Sequence, residues 1–354
     1  MFERFPVWAA FLAAWSLPLV ASAHEVYVLT ANDISTDITE RPFDMFAVAL
    51  QNMHQFMFWA FIAILTVSAV FFISILRPVE RALDPIFKRL KPYAPAVARV
   101  TVGIGFICAS YFQASFGPEL PLAASYGPYA PLVGIVLAVT GTLIIIGFWA
   151  RAAAVVALLL FANAARLHGW YLLTYANYFG EFIVLLIIGS HRASVHSIMG
   201  WGERFHRSFH AISEKLRPLA FPILRVCFGI SLLYASLYAK VLHNNLALQL
   251  VSNPLAGHPY PLAHYFGLEA HFLVLGAAIV EVVIGLFFIL GIEIRFTSLF
   301  LLFWLSLSLW YFGESVWPHV ILIGIPISFI MYGYDDYSLE GRFLGRGRRR
   351  EPVL

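Results

Sequence analysis

The chain has 354 residues, of which 60% are hydrophobic and only 12% charged, with a mean hydropathy of +0.79. Soluble domains carry about 25% charged residues, so half that share excludes an ordinary soluble domain and predicts an all-α polytopic membrane bundle whose surroundings are the lipid bilayer. The net charge of +3 calls for no nucleic-acid partner, and the two cysteines, Cys108 and Cys227, have neither a CxxC nor a metal-ligand spacing.

Residues 1–23 read as a secretory signal peptide: Arg4, an apolar run from Pro6 to Val20, then Ala21-Ser22-Ala23. Cleavage there leaves His24 as the mature N-terminus. Residues 24–52, with Asp33, Asp37, Glu40 and Asp44, form a short exported arm. Apolar segments near the roughly 20 residues that span a bilayer follow at 53–76, 96–116, 130–149, 152–172, 174–190, 219–242, 271–291, 296–312 and 317–333. One set of connections holds Arg77, Arg81, Lys88, Arg89, Lys91, Arg151, Arg192, Arg204, Arg207, Lys215, Arg217 and Arg295, whereas the opposite set holds little beyond Arg41. That asymmetry places the mature N-terminus outside and the basic tail, 336–354, in the cytoplasm. Between the halves, 191–217 mixes bases with Ile198, Trp201, Phe205, Phe209 and Ile212, which predicts a cytoplasmic amphipathic linker lying in the interface.

The chain repeats itself. Arg99, Val100, Gly103, Ile104, Ala109 and Ser110 recur 126 residues on as Arg225, Val226, Gly229, Ile230, Ala235 and Ser236. Gly141, Gly147, Arg151 and Gly189 recur 144 residues on as Gly285, Gly291, Arg295 and Gly333, so the second copy gains 18 residues, in the exported loop between His243 and His271. The expected architecture is therefore a leading transmembrane helix, 53–76, followed by two tandem four-helix repeats, 96–190 and 218–335. The repeats run parallel, and the glycines at 103, 141, 147, 229, 285 and 291 allow close helix approach.

Ionisable residues inside spans are costly and mark function or pairing. Arg166 and Glu181 fall at similar depths on adjacent helices, which predicts a buried ion pair. Lys240 and Glu281 either lock helices together or, with His243, Glu314 and His319 nearby, form a site for an anionic or quinone headgroup; a lysine stem can reach down to the carboxylate. The exported histidines, His24, His264 and His271 among them, are candidate metal ligands, although their spacings match no tight template. Aromatic residues crowd the exported ends as an interfacial belt. No phosphate loop, nucleophile triad or dinucleotide fingerprint is present.

The Arg225-x-x-x-Gly229 opening followed by Tyr234, Ala235 and Lys240, the Glu281-x-x-x-Gly285 pair, the Gly291-x-x-x-Arg295 hairpin and the closing Gly333 resemble the DoxX/DoxD-like family of four-helix membrane proteins. The first repeat keeps the skeleton but has Ala114 and Leu137 where the lysine and glutamate should stand. The resemblance implies quinone-linked redox chemistry, thiosulfate oxidation in the best-known members, and in some a soluble redox subunit. The expectation is an integral component of a quinone-linked redox system in a bacterial or archaeal cytoplasmic membrane, its polar site in the outer half of the second repeat. The alternatives are a metal-handling or small-solute transport protein using the exported histidines, or a structural subunit.

Overall fold

Apolar runs punctuated by glycine and proline fold into helices, and no strand occurs among the described residues of the computed structural model, which are 39–189, 203–254, 259–312 and 317–343. The signal peptide, His24, Glu314, linker residues 191–202 and tail residues 344–354 fall outside them.

The helices are α1 (Met45–Asn52), α2 (Phe56–Leu90), α3 (Ala94–Tyr111), α4 (Leu122–Tyr126), α5 (Ala130–Ile146), α6 (Ala150–His168), α7 (Ala176–Ile188), α8 (Glu203–Leu237), α9 (Asn244–Ser252), α10 (Leu262–Phe266), α11 (Ala270–Leu290), α12 (Ile294–Phe312), α13 (Pro318–Tyr332) and α14 (Leu339–Phe343). Six continuous helical stretches are long and apolar enough to cross a bilayer, and Pro318–Tyr332 is a shorter apolar helix. Two of the six, Phe56–Tyr111 and Ala150–Ile188, run on through 3-10 turns at Lys91–Tyr93 and Gly169–Tyr175, and each holds two of the segments expected above. The described residues form an all-helical membrane bundle. Its lipid-facing surface is clearest on α2, where Ile64, Val67, Val70 and Phe71 are exposed.

Two expectations are corrected. The cationic stretch after residue 76 is not a loop, because α2 continues through Pro78 and Pro85 to Leu90. The linker is not a separate helix ahead of the span, because its residues from 203 belong to the 35-residue α8, which passes through Pro218 and Pro222. Each proline removes one backbone hydrogen bond, which two long, tertiary-packed helices tolerate.

The halves, α3–α5–α6–α7 and α8–α11–α12–α13, are built alike. α3 crosses α5 so closely that a Cβ on Gly103 would lie 2.9 Å from the Gly141 carbonyl oxygen, and α8 crosses α11 with Gly229 2.6 Å from that of Gly285. The next turns match: Gly147 and Trp149 have φ of 68° and 50°, Gly291 and Glu293 of 70° and 42°. Arg151 Nε donates to the Leu186 carbonyl at 3.2 Å, and Arg295 Nε to the Ile330 carbonyl at 3.0 Å, each capping the end of the half's last helix. Finally α7 packs on α8, and α13 packs on α3, closing the ring.

The bundle has an upper end, with α1, α4, α9 and α10, and a lower end, with the two arginine caps and α14. At the lower end Arg225 pairs with Asp335 (3.1 Å), Arg295 with Glu80 (2.7 Å) and Arg77 with Glu293 (2.7 Å). Glu340 on α14 accepts from the Glu293 amide at 2.8 Å. The tail's first residues, to 343, are therefore docked on the bundle. At the upper end the arm is docked too: Asn244 exchanges hydrogen bonds with the Phe43 backbone, at 3.0 and 2.8 Å.

Candidate functional site

The two halves diverge at the upper end. In the first, residues 112–121 fold back as a tight loop, with Ser115 N–H donating to the Leu120 carbonyl and Leu122 N–H to that of Gln113. The loop sinks Phe116 among Phe106, Phe161, Tyr178 and Phe182, with ring centroids 5.1 to 6.5 Å away. In the second half the corresponding loop is the longer segment containing α9 and α10, and beneath it lies a cavity of about 660 Å³.

Lys240 and Glu281 stand in this cavity's wall. Lys240 lies on a widened turn, Tyr238–Leu242, that follows α8; such π-turns re-aim side chains and recur at functional sites. Its Nζ is 2.9 Å from Glu281 Oε2, with the two side chains 9% and 20% exposed. The pair therefore neutralises itself inside a mostly apolar wall, where an isolated charge would be far costlier. Also in the wall, Ser231 donates to the Thr174 carbonyl and lies 3.0 Å from Asn177 Oδ1. His319, on α13, is buried and also lines the cavity. The exposed lining residues among those described include Tyr265, Phe266, Leu307 and Trp310, all apolar or aromatic.

Other expected site residues are elsewhere. His243 lies against the Tyr238 ring (4.6 Å) and does not line the cavity. His264 stacks on Tyr260 (4.5 Å), while His271 is bonded to Glu269. Among the described residues no group of three or more His, Cys, Asp or Glu is placed to hold a metal ion.

The expected Arg166–Glu181 pair does not form. Arg166 is exposed and donates to Asn163 Oδ1 at 3.3 Å. The buried stripe of α6 runs through Ala150, Ala153, Ala154, Ala157 and Ala164, and a residue two places after Ala164 points about 200° away from it. Glu181, by contrast, is fully buried, and neither carboxyl oxygen has a hydrogen-bond partner among the described residues.

Sequence reasoning missed Glu119, which accepts from the hydroxyls of Tyr171 (3.0 Å) and Tyr175. It also missed Asn177 and Ser231; two uncharged polar residues within apolar spans were the available signal. Compared with protein-family models, curated proteins and solved structures, the chain matches none.

Proposed function

We propose that the chain binds a lipid-soluble ligand with a polar head, a quinone being the compound class that fits best, and serves as the membrane component of a quinone-linked redox system. One observation carries this reading. The cavity is apolar along most of its wall, opens past exposed aromatic and aliphatic side chains, and holds an ammonium–carboxylate pair inside. Among the described residues a ligand arriving from the bilayer meets exposed apolar and aromatic side chains first, and Lys240 can donate to a carbonyl oxygen without leaving Glu281. Pockets with apolar walls and few polar groups bind by burial and orient by those groups. A quinone, when bound, carries two electrons and two protons; a soluble redox subunit is the partner class that would exchange the electrons.

The matched glycine crossings, left-handed turns and arginine caps support a duplicated four-helix unit, DoxX-like in its second copy. Together with the cation asymmetry they support nine spans, the upper end exported and the lower end cytoplasmic. On this reading the first copy has given up its site, since Phe116 fills the space that is open in the second.

The test is mass spectrometry of small molecules extracted from the purified chain, with ubiquinone-1 titrated against tryptophan fluorescence. Lys240→Ala/Glu281→Leu should fold yet weaken ubiquinone-1 binding at least tenfold. Unchanged affinity would remove the pair from the site, and absence of any quinone or quinone binding would overturn the assignment.

A further inference from the structure

Glu181 is unexplained by the cavity, whose wall it does not line. Its position does not need a carboxyl for packing, because Ile325, 144 residues on in the matching helix, is just as buried. Nor does any cation pair with it among the described residues. The helices packed on α7 do carry cations, Arg99 on α3, Arg151 and Arg166 on α6, and Lys215, Arg217 and Arg225 on α8. Arg151 and Arg225 are engaged at the lower end, with the Leu186 and Ile187 carbonyls and with Asp335, and Arg166 is exposed and bonded to Asn163. Besides those cations, the described titratable groups on the elements packed around α7 are Cys108 and Tyr111 on α3, His168 on α6, Tyr171 and Tyr175 in the 3-10 turn before α7, Tyr178 on α7 itself, Glu214, Cys227 and Tyr234 on α8, of which Cys227 lies beside Gly180, and Glu119 in the loop above. A carboxylate with neither hydrogen bond nor counter-ion in an apolar interior is too costly to keep, and such a group takes up a proton instead.

What lies above Glu181 gives that proton a route. Tyr171 and Tyr175 belong to the 3-10 turn that leads into α7, and Tyr178 and Glu181 follow on α7 one helical turn apart. The Tyr171 and Tyr175 rings are 6.4 Å apart, those of Tyr175 and Tyr178 6.0 Å. The Tyr171 and Tyr175 hydroxyls meet on Glu119 Oε1, while Glu119 Oε2 has no hydrogen-bond partner among the described residues. Tyr178 Oη donates to the Phe116 carbonyl at 3.2 Å, in the same loop that carries Glu119. A half-buried acid in the upper loop, two phenols and a fully buried acid thus descend in order.

We propose that Glu181 is a proton-binding site inside the bundle, loaded from the upper end through Glu119, Tyr175 and Tyr178. Hydronium in the upper solvent gives Glu119 its proton, and Tyr175, bonded to Glu119, accepts it as it releases its own. Tyr178 Oη is bonded to the Phe116 carbonyl and Glu181 has no hydrogen-bond partner among the described residues, so the transfers to Tyr178 and on to Glu181 each pass through one bridging water. Both tyrosines end neutral and Glu181 gains one proton. Because Tyr175 and Tyr178 also line the cavity, the loaded proton sits one helical turn from the ligand's wall. The site stands whether or not the ligand is a quinone.

Infrared spectroscopy on the full chain in lipid nanodiscs tests this without any ligand. A protonated glutamate C=O band is expected at neutral pH, shifted by 13C-glutamate labelling and lost in Glu181→Gln. In D2O it should exchange within minutes, and at least tenfold more slowly in Tyr175→Phe and Tyr178→Phe. Absence of the band, or its survival in Glu181→Gln, overturns the site. A band that never exchanges, or exchanges equally fast in both tyrosine variants and in Glu119→Gln, overturns the route. Should Glu181→Gln fail to fold, the labelled native chain and the tyrosine variants still decide, since they leave the carboxyl in place.

Discussion

Because Lys240 and Glu281 balance each other in a wall that is otherwise apolar, removing one is a different operation from removing both. Lys240→Ala leaves Glu281 uncompensated, and breaking a buried pair this way costs about 3 kcal/mol in soluble proteins; Glu281's partial exposure places it at or below that value. The double variant Lys240→Ala/Glu281→Leu strands nothing and should melt in detergent closer to the native chain than either single variant. Equal melting of single and double variants would show that the pair does not couple. Arg166→Gln, in contrast, should shift stability by no more than about 0.5 kcal/mol, the usual range for an exposed residue, since its one hydrogen bond is to Asn163 on the surface. A large loss of folding yield would contradict that placement. The comparison also shows what a sequence can convey about single residues. Depth along a helix follows from counting, and it put Arg166 and Glu181 on adjacent helices, in reach of each other. Facing depends on which side the neighbours cover, and the alanine stripe of α6 turns Arg166 outward.

At the scale of elements the glycine crossings are the most demanding feature. A methyl group at Gly229 would sit 2.6 Å from the Gly285 carbonyl oxygen and 2.8 Å from Ile289 Cγ1, and neither backbone can yield without parting the helices. Gly229→Ala should lower stability by about 1–3 kcal/mol, as overpacking does, and Gly103→Ala should behave alike. Thermal unfolding in detergent checks both, and a neutral Gly229→Ala would mean the helices do not cross so closely. These crossings were legible in the sequence because small residues at a matching offset leave a mark. The loops were not. Gly117, Pro118 and Glu119 announce a turn, but nothing local says that the turn drives Phe116 into the bundle while its counterpart, 18 residues longer, roofs a cavity. The cations misled in the other direction: Arg77, Arg81, Lys88 and Arg89 read as a connection, yet α2 runs on through them, and through Pro78 and Pro85, to Leu90.

For the molecule as a whole, the arrangement of ends gives a direct check. A cysteine at Asn253, in the upper loop, should react with an impermeant thiol reagent from outside intact cells, and one at Ser213, at the lower end, should react only after lysis. Reversed labelling would invert the topology and put Glu119 on the cytoplasmic side. A broader consequence follows from the ring closure, in which α13 meets α3 as α7 meets α8. Every helix of either half is held by the same kind of neighbour, so continuity of the backbone between 189 and 203 adds nothing that the packing does not already supply. Two separate polypeptides, one ending and the other beginning within that stretch, should assemble in the membrane into a heterodimer with the cavity intact. A circularly permuted gene, starting at α8 and ending at α7, should do the same, provided α2 keeps its place against α13.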